Sequence, residues 1–178
     1  MNTTANKITI TRIVLIPVLL VLLYLDLVYW ALTVYILACV SDYIDGYIAR
    51  KYDQVTSFGK FIDPLADKML VLAAMCFFIQ EGLMPGWVVA IVLLREFAVS
   101  GLRLLAIEQG IVIAAAMSGK VKTFATMIAV GVLIVIREGW IPFAGFMQVF
   151  CWLVILVTTV YSGVEYFVKN FNVFRRTA

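Results

Sequence analysis

The 178-residue chain contains no histidine, and only 14% of its residues are charged. Without histidine, the usual proton shuttle and the commonest transition-metal ligand are excluded, so any general base must be another residue type. The three cysteines lie within apolar runs and lack metal-ligand spacing, which favours a role in helix packing. The scarcity of charge, beside 64% hydrophobic residues, excludes an ordinary soluble domain and indicates a membrane protein.

Long apolar runs make up most of the sequence. A membrane-spanning helix needs about 20 mostly apolar residues, and six stretches approach that length, at roughly 9–28, 31–51, 61–80, 87–107, 121–137 and 145–168. The predicted fold class is therefore an all-α integral membrane protein with six transmembrane helices. No stretch remains for a second, soluble core, which predicts one domain over residues 1–178. The polar start of the chain favours either an N-terminal interfacial segment or a frayed end. Asn6, Thr9 and Arg12 are expected to anchor it to the membrane surface, and contact with a headgroup or a nucleotide is the alternative.

The basic residues are distributed unequally between the two ends of the predicted helices. Of the 14 lysines and arginines, 12 fall at one end, Arg137 falls in the connections at the other end, and Arg95 lies inside the fourth span. The positive-inside rule predicts that both termini face the cytoplasm, in a multi-pass protein of the cytoplasmic membrane. Arg95 needs a carboxylate partner at this depth. Glu96 is adjacent but projects elsewhere on the helix, so we expect the partner to come from another helix or from the active-site cavity.

Four aspartates at helical spacing interrupt the apolar sequence within SDYIDGYIARKYDQVTSFGKFIDPLADK, residues 41–68. Asp42 and Asp45 share one face of the second predicted helix, and Asp63 and Asp67 share one face of the third. At 1.5 Å per residue, both pairs lie roughly 18–25 Å from the outer boundary, so antiparallel neighbours would bring all four carboxylates together. Two carboxylates about 5.5 Å apart repel by roughly 3 kcal/mol at an effective dielectric of 20. Divalent cations offset this repulsion, and an all-oxygen ligand set suits Mg²⁺, Mn²⁺ or Ca²⁺, which predicts a two-metal site.

The same stretch carries a motif with eight specified positions, D-x2-D-G-x2-A-R-x8-G-x3-D-x3-D. The positions are filled by Asp42, Asp45, Gly46, Ala49, Arg50, Gly59, Asp63 and Asp67. The motif resembles the signature of the CDP-alcohol phosphatidyltransferases. That resemblance implies a six-helix membrane fold, a homodimer and two divalent cations, Mg²⁺ or Mn²⁺. The stretches NKITITRIVLIPVLL, LREFAVSGLRLLA and SGKVKTFATMIAV resemble the bacterial phosphatidylglycerophosphate synthases of that family.

The resemblance also implies a reaction and a role for each motif residue. A phosphatidyl group would pass from CDP-diacylglycerol to sn-glycerol 3-phosphate, with release of CMP and an active site on the cytoplasmic side. Asp67 would be the catalytic base, and the metal ligands would be Asp42, Asp45, Asp63 and Asp67. CDP-diacylglycerol would be bound by Asp42, Asp45, Gly46, Ala49, Arg50 and Gly59. Among these, Arg50 would hold a donor phosphate.

The acceptor's own phosphate needs cationic partners. Arg103, Lys120 and Lys122 lie at the junction of the fourth and fifth predicted spans, and an arginine fork with a lysine suits a phosphate. The positive-inside bias alone would also place basic residues there. Because their residue types suit a phosphate and they share one junction, we predict that these three residues bind the acceptor phosphate.

Two alternatives remain open. The motif does not encode the acceptor, so inositol phosphate, inositol or serine could replace glycerol 3-phosphate in the same chemistry. Serine would leave Arg103 and Lys120 without an anion. A divalent-cation transporter is the alternative from another class, although the second and third spans are apolar beyond the aspartates. The basic C-terminal tail predicts contact with anionic membrane lipid, and no nucleic-acid partner is expected.

Overall fold

Six α-helices make up the part of the chain that the computed structural model describes, and that part contains no β-strand. The described residues are 4–51, 57–111, 113, 116–139 and 143–171, with side chains described for 11–41 and for those from 68 onward. The helices are α1 (Thr4–Tyr24), α2 (Val28–Lys51), α3 (Ser57–Gln80), α4 (Gly86–Glu108), α5 (Met117–Ile136) and α6 (Ala144–Lys169). The predicted all-α class is confirmed.

Each predicted span corresponds to one helix, but the helices begin before the apolar runs do. For example, α3 begins at Ser57 and α5 at Met117. Polar residues can occupy the first turns of a helix, so hydropathy alone predicts helices that are too short. Helix α1 runs without a break from Thr4, so the polar start of the chain belongs to the same helix as the first predicted span.

The expectation that Arg12 anchors the surface is wrong. Arg12 is only 1% exposed. It lies seven and eleven residues before Leu19 and Leu23, which are both 0% exposed. Those spacings place all three residues on the same face of α1, the face that packs into the bundle.

The apolar core lies between the helices and includes small residues that allow close packing. Ala31, Ala38 and Ala74 are completely buried. Helix α1 packs on α2 and α3, while α6 packs on α4 and α5. The Tyr35 hydroxyl donates a 3.0 Å hydrogen bond to the Met127 carbonyl and thereby joins α2 to α5. These contacts bring α3, α4, α5 and α6 around the cavity described below.

Large apolar side chains also cover the outside of the bundle. Leu94, Phe97 and Phe146 are 71%, 72% and 73% exposed. Helices that are apolar on both their inner and outer faces suit lipid better than water. Within the described residues, Met117–Ile136 and Ala144–Lys169 are long and apolar enough to cross a membrane. Shorter apolar helical stretches are Thr11–Tyr24, Val28–Ser41 and Lys68–Gln80.

Arg137 joins the ends of several helices at one end of the bundle. Its Nη2 lies 2.6 Å from Asp26 Oδ1, its Nε donates to Glu81 Oε2 at 3.2 Å, and its Nη1 donates to the Leu23 carbonyl at 2.5 Å. Its guanidinium carbon lies 4.9 Å from the centre of the Phe77 ring. A planar guanidinium with five N–H donors can serve all these partners at once. Arg137 therefore holds the ends of α1, α3 and α5 together.

We expect Arg137→Met to lower the free energy of unfolding by about 2 kcal/mol, because it removes several charge-assisted hydrogen bonds from a side chain that is 15% exposed. The measurement is the thermal unfolding midpoint of the purified protein in detergent. Lys169→Met is the matched control, since it removes one exposed ion pair, to Glu165 within α6. Equal midpoints for the two variants would show that Arg137 contributes no more than a surface pair does.

Candidate active site

The eight motif residues lie on α2 and α3, at positions whose side chains are outside the described residues. They are Asp42, Asp45, Gly46, Ala49, Arg50, Gly59, Asp63 and Asp67. The helical backbone is continuous from Val28 to Lys51 in α2 and from Ser57 to Gln80 in α3. Spacings of three and four residues on continuous helices keep each aspartate pair on one face. The metal cluster and the donor-binding roles remain predictions from sequence.

A cavity of about 420 Å³ opens between α3, α4, α5 and α6. We call it the cationic cavity because its described lining contains Lys68, Arg95, Arg103 and Lys120. Glu96 is the only carboxylate among the described residues that line it. Lys68 directly follows Asp67 in the sequence, so the cavity adjoins the part of α3 that carries the motif. An excess of cations in a concave site favours a multiply charged anion.

Arg103 is oriented by Tyr166 of α6. Its Nε donates a 2.8 Å hydrogen bond to the Tyr166 hydroxyl, and its guanidinium carbon lies 5.5 Å from the centre of that ring. Tyr166 is 2% exposed and packs in a small apolar cluster with Val99 and Leu102. The contact to Tyr166 uses Nε and leaves the two terminal nitrogens of Arg103 for an anion. The buried Tyr166 thus fixes the direction of the Arg103 guanidinium through Nε.

The side chains of Lys120 and Lys122 project from different sides of α5. Lys120 is exposed on the cavity lining, and its side chain forms no hydrogen bond or ion pair with another described residue. Lys122 is 6% exposed, is not part of the cavity lining, and donates a 2.7 Å hydrogen bond to Glu96 Oε1. Two residues along a helix turn a side chain by about 200°. The structure therefore brings Arg103 and Lys120 to the same cavity, whereas Lys122 is buried outside its lining.

Glu96 lies at the centre of a cluster of cations. Its Oε1 accepts hydrogen bonds from Lys122 at 2.7 Å and from Arg95 Nη1 at 3.0 Å. Its Oε2 lies 3.2 Å from Lys68 Nζ. The expectation that Glu96 projects away from Arg95, and leaves it to a carboxylate of another helix or of the active-site cavity, is wrong about Glu96, which lines the cavity and is itself the partner. Neighbouring side chains leave the helix about 100° apart, but these two are long enough for their charged ends to meet in the cavity.

Small residues of the neighbouring helices make room for Arg95. A Cβ atom at Gly163 of α6 would lie 3.2 Å from Arg95 Cγ, and one at Gly119 of α5 would lie 3.6 Å from Arg95 Nη2. The Nε of Arg95 is buried without a hydrogen-bond partner among the described residues. A buried donor without a partner is costly, and a bound anion would remove that cost.

Sequence reasoning assigned no site role to Lys68, Glu96 or Tyr166. For Lys68 and Glu96 a signal exists, because both are charged residues at the border of, or inside, apolar helices. For Tyr166 no signal exists, because nothing in the sequence distinguishes it from other tyrosines such as Tyr161 on the same helix.

The comparisons with known proteins agree with the motif. A sequence model of the CDP-alcohol phosphatidyltransferase family matches residues 2–161. The CDP-diacylglycerol–glycerol-3-phosphate 3-phosphatidyltransferase of Bacillus subtilis is 41% identical, over 94% of this chain and 94% of its own. The Rickettsia typhi protein of the same name is 34% identical, over 94% of this chain and 96% of its own. A probable phosphatidylglycerophosphate synthase of Mycobacterium tuberculosis is 36% identical, over 91% of this chain and 78% of its own. The resemblance seen in the sequence is confirmed, and the chain belongs to the CDP-alcohol phosphatidyltransferase family.

Proposed function

We propose that this protein transfers a phosphatidyl group from CDP-diacylglycerol to sn-glycerol 3-phosphate and releases CMP. Membership of the family supports the reaction type, and the printed names of the Bacillus and Rickettsia relatives specify both substrates for those proteins. The observation that carries the choice of acceptor is the cationic cavity, whose described lining has four basic side chains and one carboxylate. A phosphate monoester brings about two negative charges at neutral pH and needs such donors.

The proposed reaction is a displacement at one phosphorus atom of the donor. The acceptor's hydroxyl oxygen forms a bond to the phosphorus that carries diacylglycerol, and the bond from that phosphorus to the phosphate oxygen of CMP breaks. Asp67 takes the proton of the attacking hydroxyl as general base. Arg50 holds a donor phosphate, while Gly46, Ala49 and Gly59 shape the cytidine site.

Two divalent cations, Mg²⁺ or Mn²⁺, are proposed at Asp42, Asp45, Asp63 and Asp67. The donor chemistry fits, because carboxylates without histidine or thiolate are the ligands that these hard cations prefer. The continuous helical backbone at these positions supports it as well, since it keeps each pair on one face. When bound, the cations would offset the negative charge of the donor's pyrophosphate.

The acceptor's phosphate is proposed to lie in the cationic cavity, bound by Arg103 and Lys120. Arg103, whose hydrogen bond to Tyr166 uses Nε and not the terminal nitrogens, and the ammonium of Lys120 support this role, and Lys68 lines the same cavity. Lys122, also predicted for this role, lies outside the cavity lining and donates a hydrogen bond to Glu96, which favours a contribution to charge rather than direct contact with the phosphate. This arrangement holds the acceptor beside the segment of α3 that carries Asp67.

The remaining predictions form one proposal for the whole molecule. Residues 1–178 form a single domain that crosses the cytoplasmic membrane six times, with both termini and the active site on the cytoplasmic side, and the protein is a homodimer. The apolar outer surface supports the membrane location. Arg103 near the C-terminal end of α4 and Lys120 in the first turn of α5 lie towards the end of the bundle opposite Arg137, which supports the orientation.

The test is CMP release by the purified protein with CDP-diacylglycerol, Mg²⁺ and a panel of acceptors. We expect release only with glycerol 3-phosphate. Inositol phosphate also offers a phosphate to the cavity, so release with it instead would change the acceptor but keep the chemistry. Inositol and serine carry no phosphate and leave the cavity's cations without an anion. No release with any acceptor, together with cation flux in liposomes, would replace the proposal by the transporter.

We expect Tyr166→Phe to raise the KM for glycerol 3-phosphate by about three- to tenfold, because Arg103 loses a hydrogen bond worth about 1 kcal/mol. The measurement is steady-state CMP release, with KM determined for both substrates, and the KM for CDP-diacylglycerol should not change. The matched control is Tyr161→Phe, since Tyr161 lies on the same helix and is 66% exposed. A wild-type KM in the Tyr166→Phe variant would contradict the role of this hydrogen bond.

A further inference from the structure

Glu96 is a carboxylate in a cavity whose other charged residues, among those described, are all cations. Its side chain is 13% exposed, and its two oxygens have different partners. Oε1 takes Lys122 and Arg95, at 2.7 Å and 3.0 Å. Oε2 takes Lys68, at 3.2 Å. A negative group beside a phosphate site weakens anion binding by repulsion, so its presence calls for a compensating role.

Glu96 and its partners link three of the helices that contribute to the proposed site, α3, α4 and α5. Lys68 belongs to α3, which also carries Asp63 and Asp67, and Lys122 belongs to α5, which also carries Lys120. Glu96 lies on α4, two turns before Arg103. Lys68 also donates a 3.0 Å hydrogen bond to Ser100 Oγ of α4. Glu96 and Ser100 together fix the ammonium of Lys68 against α4, one residue after the proposed base.

A simpler role for Glu96 would be to neutralise the buried ammonium of Lys122. The Lys122 side chain is 8% exposed, and a buried ammonium without a counter-ion is unstable. That role needs only one carboxylate oxygen. It does not account for the second oxygen, which holds Lys68 on the cavity lining. Nor does it account for Arg95, whose guanidinium is held by Glu96 while its Nε has no partner among the described residues.

The donor count shows how Lys68 and Arg95 can serve both Glu96 and a ligand. A lysine ammonium has three N–H donors, and Glu96 and Ser100 occupy two of those of Lys68. An arginine has five, and Glu96 occupies one on Nη1 of Arg95. Each cation therefore retains donors for an anion while Glu96 fixes its direction. The side chains of Lys68 and Arg95 are therefore already ordered in the free protein, so that binding of the ligand does not have to offset the loss of their conformational entropy.

We propose that Glu96 is a positioning residue for the acceptor phosphate, because it holds Lys68 and Arg95 at the wall of the cationic cavity. The inference rests on the proposed function, since it assigns the anion to the acceptor. It adds Lys68 and Arg95 to the phosphate contacts of Arg103 and Lys120, and it gives Glu96 a role that acts through them.

The experiment compares the variants Lys122→Met and Glu96→Gln/Lys122→Met. The double variant removes one negative and one positive charge relative to the wild type, so the net charge of the cluster is unchanged. It also leaves no buried lysine without a counter-ion. We expect its KM for glycerol 3-phosphate to be at least about tenfold above that of Lys122→Met, since small displacements of binding groups cost this much. The KM for CDP-diacylglycerol should be the same in both variants.

Equal KM values for glycerol 3-phosphate in the two variants would overturn the proposal and leave Glu96 as the counter-ion of Lys122. Glu96→Asp is a second test that does not depend on the double variant folding, because it keeps the charge and retracts the oxygens by about one methylene. The positioning role predicts a several-fold higher KM for glycerol 3-phosphate, and a wild-type KM would contradict it. The proposed function is tested separately by wild-type turnover, which can be normal even if Glu96 has no positioning role.

Discussion

Replacing Asp67 with asparagine is expected to abolish CMP release, by a factor of at least about a thousand. Asparagine keeps the size of the side chain but can neither accept the proton of the acceptor hydroxyl nor bind a cation as a carboxylate does. General-base catalysis alone contributes about a hundredfold to ten-thousandfold. With no histidine in the chain, the sequence offers few substitutes for the missing base. The measurement is CMP release at saturating concentrations of both substrates.

The matched control for this experiment is Asp53→Asn. Asp53 lies in the same stretch of sequence but outside the eight motif positions, and we expect normal turnover. Binding of glycerol 3-phosphate to Asp67→Asn, measured by calorimetry, should be preserved, because the proposed contacts of the acceptor's phosphate lie in the cationic cavity and not at Asp67. Retention of more than about a tenth of wild-type turnover by Asp67→Asn would exclude Asp67 as the general base.

Replacing Arg103 with methionine is expected to raise the KM for glycerol 3-phosphate by about a hundredfold. The guanidinium is held by the Tyr166 hydroxyl at 2.8 Å, and the two charge-assisted hydrogen bonds proposed from its terminal nitrogens to the phosphate would be worth about 2–3 kcal/mol. Methionine keeps much of the apolar stem of arginine and removes the charge. The measurement is KM for each substrate in turn, and only that for the acceptor should change.

Lys169→Met provides the control for loss of positive charge near this end of the bundle. Lys169 ends α6 three residues after Tyr166 and pairs with Glu165. Its side chain is 64% exposed and does not line the cationic cavity. We expect an unchanged KM for glycerol 3-phosphate. If Arg103→Met raised the KM of both substrates equally, Arg103 would act through the stability of the fold or through the electrostatic potential of the whole site, and not through contact with the acceptor.

The sequence predicts the helices of this protein well because the signal for each is a long apolar run. A run of about 20 apolar residues has few other stable structures. Helix starts are less well predicted, as Ser57 and Met117 show, because a first turn with polar or small residues has no hydropathy signal. The family is also predicted, since eight residue types at fixed spacing from Asp42 to Asp67 leave little room for coincidence.

Side-chain partners could not be predicted from helix geometry alone. Arg95 and Glu96 leave the backbone in different directions, yet they meet because both are long and because Gly163 leaves space for Arg95. Position in the sequence predicts one role for Lys120 and Lys122, since both lie at the start of α5, but the turn of the helix buries Lys122 and exposes Lys120. Such pairings depend on which residues the neighbouring helices present, and a single helix does not contain that information.

The most direct test of the central claim follows the acceptor's phosphate. The claim is that the cationic cavity binds a phosphate that survives the reaction, while the motif region transfers the phosphatidyl group. With glycerol 3-phosphate radiolabelled at phosphorus, the account predicts that the label enters a chloroform-soluble lipid in an amount equal to the CMP released. Label that stays in water or appears as inorganic phosphate, while CMP is released, would contradict the account.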